Sequence, residues 1–99
     1  MTVDEFKKSL AAGAPPPGLP PILEALWHDG KGDWTAAHDL AQDVADPDGA
    51  WVHAYLHRKE GDAANAGYWY RRASQPVCRE PLEREWETIA AAFLSRLPG

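Results

Sequence analysis

The sequence predicts an all-α domain in which a short N-terminal helix precedes two stacked helix-turn-helix hairpins and a C-terminal helix caps them. Three observations carry this expectation. Shifting the chain by 29 positions lays its punctuation on itself: Gly32-Asp33 falls on Gly61-Asp62, Ala37 on Ala66 and Pro47 on Pro76. Between these marks the apolar residues recur at intervals of three and four, the spacing of a helix face. Finally, 99 residues with 44% hydrophobic and 25% charged side chains suit one folded domain, and five Trp can fill its core without disulfides.

Residues 2–12 open with Thr2-x-x-Glu5, a capping-box spacing, and place Phe6 and Leu10 one turn apart, which predicts the N-terminal helix. Residues 13–21 then carry five prolines and two glycines and cannot continue it, so they form a connector with a local preference for polyproline II. Hairpin 1 spans 22–47 and hairpin 2 spans 48–76. In the first helices, Ile22, Leu23, Leu26 and Trp27 correspond to Trp51, Val52, Tyr55 and Leu56. In the second helices, Trp34, Ala37, Leu40, Ala41 and Val44 correspond to Ala63, Ala66, Trp69, Tyr70 and Ala73. Asp33 and Asp62 are placed to cap those second helices. The last helix, 80–97, has Pro81 in its first turn and an apolar stripe of Leu82, Trp86, Ile89, Phe93 and Leu97 that can cover the flank of the hairpins. All of 1–99 is one domain on this reading.

Composition narrows the function classes. A net charge of -5 disfavours nucleic acid, whose phosphates reward Lys and Arg. No apolar run approaches the ~20 residues of a membrane span, and the first residues lack a signal-peptide layout, so no membrane partner and a cytoplasmic location are expected. Cys78 is the single cysteine. It is expected as a small buried apolar group rather than a nucleophile. No phosphate-binding loop or nucleophile elbow is present.

The chemistry-bearing candidates are histidines. His53 and His57 are four apart on one helix, a spacing at which two imidazoles bind a divalent metal, and Glu60 can complete a two-histidine, one-carboxylate set. The zincin pattern is not met, because Ala54 follows His53 where that pattern needs glutamate. In the repeat register Glu24 corresponds to His53 and His28 to His57. If the two first helices pack about 9 Å apart, Glu24, His28, His53 and His57 converge into a metal or ligand site. Two structural readings compete: these residues form a solvated face opposite the apolar stripe, or they point at the second helix of their hairpin and are held there by hydrogen bonds. His38 is expected to stack on Trp34. Trp69 and Tyr70 belong to the core, whereas Tyr68 lies off that face and, with Arg72, is a candidate contact for a partner. Charge is also uneven. Residues 1–57 carry 3 basic and 9 acidic side chains against 7 and 6 in 58–99, and Arg58, Lys59, Arg71 and Arg72 could meet an acidic surface.

Gly32-Asp33-Trp34-x-x-Ala37 and, more fully, Gly61-Asp62-x-x-x-Ala66-x-x-Trp69-Tyr70-Arg71-Arg72-Ala73 resemble the tetratricopeptide (TPR) and Sel1-like helical hairpin repeats over residues 21–76. The chain is also similar to small bacterial helical proteins, a resemblance that carries no activity with it. The repeat resemblance implies a TPR-like module that binds a protein or peptide, or a second copy of itself as a homodimer, without enzymatic activity and without a cofactor. The alternative is a small metal- or ligand-binding protein built on the Glu/His cluster, with a divalent metal held by His53, His57 and Glu60.

Overall fold

The Thr2 hydroxyl accepts from the Glu5 N–H at 3.1 Å while the Glu5 carboxylate takes the Thr2 N–H at 2.9 Å, so the capping box closes and α1 (Val3–Ser9) begins. The computed structural model describes residues 1–98. Its further elements are α2 (Pro21–Gly30), α3 (Trp34–Gln42), α4 (Asp48–Lys59), α5 (Ala63–Arg72) and α6 (Leu82–Leu94). There is no strand among the described residues, and no helix is long and apolar enough to cross a membrane. The fold is therefore all-α.

The connector folds back onto the helices. Lys31 Nζ, just past α2, donates to the carbonyls of Leu10 (2.7 Å) and Ala12 (3.2 Å), and Leu10 and Leu19 pack on the core. Pro21 starts α2 at a position whose N–H would have no helical partner in any case.

The same turn joins α2 to α3 and α4 to α5. Gly32 and Gly61 take φ of +86° and +90°, a left-handed conformation that glycine adopts without a Cβ penalty. The N–H groups of Asp33 and Asp62 then return to the carbonyls of His28 and His57, each at 2.9 Å. Their carboxylates cap the next helix through the N–H groups of Ala36 (3.0 Å) and Asn65 (3.1 Å). Thus the internal repeat is a repeat of hydrogen bonds. A third closure of this kind ends α5, where Ser74 holds the left-handed position at φ +57°.

Helix α2 packs on α3, α3 on α4, and α4 on α5, while α6 lies across α2 and α4 and touches α1. Phe6 of α1 stacks on Trp86 of α6 at 5.4 Å, and the Trp86 indole donates to the Leu26 carbonyl at 2.9 Å. The capping role expected of the last helix is realised by Trp86, Ile89, Ala90, Phe93 and Leu94, with Leu97 packed beyond its end. The helix itself is shorter than 80–97. Pro81 is its N-cap in an extended conformation, so helix begins at Leu82.

Helix α4 departs furthest from the expected pattern. It is buried on nearly all sides, His53 and His57 included, at 6% and 8% exposure, so the solvated-face reading of the two histidines is corrected. Gly49 allows the close fit, since a Cβ there would sit 2.0 Å from the Val44 carbonyl oxygen. Two carboxylates are also buried against α4. Asp29 accepts from the Tyr55 hydroxyl (2.7 Å) and Lys59 (2.9 Å), and Glu85 accepts from Arg58 (2.9 Å) and the Tyr70 hydroxyl. With Arg72 bound to Asp46, three members of the basic cluster expected to face an acidic partner are paired within the chain.

Candidate metal centre

His38 on α3 and His53 and His57 on α4 come together where these two helices meet α5. One ring nitrogen from each lies within 4.8 Å of the other two. The ring centroids are 4.7 Å apart for His38 and His53, 5.5 Å for His38 and His57, and 5.8 Å for His53 and His57. Tetrahedral zinc with Zn–N bonds of about 2.0 Å places imidazole centroids about 5 Å apart and nitrogens about 3.4 Å apart. The rings already have that spacing. The ring nitrogens, now within 4.8 Å of one another, must draw together towards a common centre to hold an ion.

Each imidazole is oriented by a neighbour. His38 stacks on Trp34 at 5.0 Å and 16°, as its position in the sequence suggested, and Trp34 is itself anchored by a 2.9 Å bond from its indole to the Leu56 carbonyl. His53 stacks on Trp69 at 4.3 Å. Nδ1 of His57 lies 2.6 Å from Glu60 Oε1. A proton shared with that carboxylate leaves Nε2 of His57 with its lone pair, the tautomer in which carboxylate-supported histidines ligate metals.

The electrostatics favour a neutral His53. Burial above all, then the nearby His38 and His57 and the Arg72 guanidinium, lowers His53 to about 4, with the Asp46 carboxylate opposing. His53 is thus uncharged at neutral pH. Its Nδ1 is fully enclosed and has no hydrogen-bonding partner among the described residues. An orphaned buried nitrogen costs about 1–3 kcal/mol, and a cation is one way of satisfying it.

The histidines line a cleft of about 610 Å³ with Gln42, Asp46, Asn65, Trp69 and Arg72. At its rim the Arg72 guanidinium lies 4.7 Å from the Trp69 ring centre, and its Nε donates to Asp46 Oδ2 at 2.9 Å. A separate cleft of about 690 Å³ runs between residues 75–81 and α6 and contains half-buried Cys78. Its buried carboxylate, Glu85, is already satisfied by Arg58 and Tyr70.

The residues singled out in the sequence are only partly brought together. Glu24 and His28 stand half-buried on α2, with His28 edge-on to Trp27 at 5.3 Å, and neither belongs to the histidine cluster or lines its cleft. The reason is packing: α4 turns its histidines towards the second helices α3 and α5, not towards α2. The His53, His57 and Glu60 set is divided as well. Glu60 groups with His57 and Asp62 at the exposed end of α4, and His38 takes its place beside His53. Asp62 is engaged as the cap of α5. Tyr68 is exposed and accepts a 3.2 Å bond from Arg72. Sequence reasoning missed His38 as a member of the cluster because its repeat partner is Gly67, so self-comparison gives it no weight.

The chain matches no protein-family model, no curated protein and no solved structure.

Proposed function

We propose that this protein binds one divalent transition-metal ion through His38, His53 and His57, with Glu60 orienting His57 from outside. The carrying observation is the convergence of three imidazoles from two helices, with ring spacings that bracket those of a tetrahedral site. Three neutral nitrogen ligands suit Zn²⁺, Co²⁺, Ni²⁺ or Cu²⁺ better than the oxygen-seeking Mg²⁺ and Ca²⁺. They also leave a coordination position open. The module reading, with a protein, a peptide or a second copy as partner, retains exposed Tyr68 as its best anchor, but its cations Arg58, Lys59 and Arg72 are already paired.

Calorimetric titration of chelator-stripped protein with Zn²⁺ tests the proposal. One ion per chain is expected, with binding weakened about 100-fold or more in His38→Ala and His57→Ala, and about 10- to 100-fold in Glu60→Gln, as for other carboxylates that support a ligating histidine. Circular dichroism of each variant establishes that it folds. Absence of Zn²⁺ binding by the wild-type chain, or binding indifferent to His38→Ala, overturns the proposal.

A further inference from the structure

The cleft above the three histidines is much larger than one ion, and the three imidazoles bring no negative charge to it. No carboxylate belongs to the three-histidine group: Glu60 reaches it through Nδ1 of His57, and Asp46, which lines the same cleft, is held by Arg72. A divalent ion held by neutral imidazoles keeps its full double charge, and its open position then favours an anion. The rim holds a cation already engaged with a carboxylate. Arg72 directs Nε and Nη2 at a single oxygen of Asp46, its Nη1 meets the Tyr68 hydroxyl, and its guanidinium rests on the Trp69 indole that also stacks on His53. Asp46 comes from the loop between α3 and α4 and both members of the pair are partly exposed, so the pair can open towards solvent without unpacking a helix.

Resting on the metal reading above, we infer that the loaded cleft takes a small carboxylate-bearing molecule. Its carboxylate competes with Asp46 for Arg72 and is drawn in by the metal charge, while Trp69 forms the wall of the binding site. The existing Arg72 and Asp46 pair shows the guanidinium already holding a carboxylate on that indole, which favours a carboxylate over other anions.

Opposite effects at the two rim residues test this. Protein loaded with Co²⁺ is titrated with acetate while the visible d–d absorption is followed, and phosphate is run as the comparison anion. The wild-type spectrum is expected to change saturably with acetate. Asp46→Asn, which releases Arg72, binds acetate more tightly. Adding Arg72→Met to Asp46→Asn weakens acetate about tenfold or more, the size of a lost charge-assisted hydrogen bond, while Co²⁺ affinity stays within about threefold. A spectrum indifferent to acetate, equal acetate affinity with and without Arg72, or a response to phosphate alone overturns the carboxylate inference and leaves the metal reading standing. Failure to form any Co²⁺ spectrum overturns the metal reading itself.

Discussion

The His53 imidazole links the candidate centre to the stability of the fold, and lowering the pH is the perturbation that exposes the link. Its folded value of about 4 lies below the ordinary 6.5, so the folded chain resists taking up a proton that the unfolded chain accepts. Well above pH 6.5, from about pH 7.5 upward, both states are essentially neutral there and His53 contributes no pH dependence. As the pH falls from 6.5 towards 4, the unfolded state binds more protons and stability declines. Between pH 7 and pH 5 the loss from this group is about 2 kcal/mol, equivalent to roughly 8–16 °C in Tm for a domain of this size. Urea unfolding of chelator-treated protein across this range measures the total. His53→Phe keeps an aromatic ring against Trp69 and removes the titration, so the difference between the two pH profiles isolates His53. Parallel profiles, or an imidazole NMR titration of His53 with a midpoint near 6.5, would refute the reasoning.

Other perturbations address the packing that builds the site. Gly49→Ala drives a Cβ to within 2.0 Å of the Val44 carbonyl, and a backbone oxygen cannot swing aside. A cost of about 3 kcal/mol or more in urea unfolding is expected. Glu85→Ala strips the partner from Arg58 and the buried Tyr70 hydroxyl, and calorimetric melting should show a loss of about 3 kcal/mol, with Glu85→Gln milder. Ser74→Gly relieves the left-handed residue that closes α5 and should stabilise by about 1 kcal/mol in the same assay.

The legible parts of this protein are those set by neighbours in sequence. The Thr2 capping box, the two Gly-Asp turns with their Asp33 and Asp62 caps, and the stacking of His38 on Trp34 each lie within a few residues of chain, and each appears as read. The apolar stripe of α6 was equally clear, because a single helix wheel contains it. The less legible features depend on residues far apart. Asp29 and Glu85 look like surface acids until Tyr55, Lys59, Arg58 and Tyr70 arrive from 15 to 30 positions away. His53 and His57 lie opposite the apolar stripe of their own helix, yet α3 and α5 cover that side. The repeat register likewise pairs first helix with first helix and so points to Glu24 and His28. The stacking instead places a second helix, with His38, against α4.

The most direct test of the central claim is the long-range ¹H–¹⁵N spectrum of the imidazole nitrogens, recorded on chelator-stripped protein and again with one equivalent of Zn²⁺. One nitrogen each of His38, His53 and His57 is expected to shift on loading while both nitrogens of His28 stay in place, and Nδ1 of His57 should keep its proton beside Glu60. An unchanged spectrum, or a shift at His28 without one at His38, would contradict a metal centre built on α3 and α4.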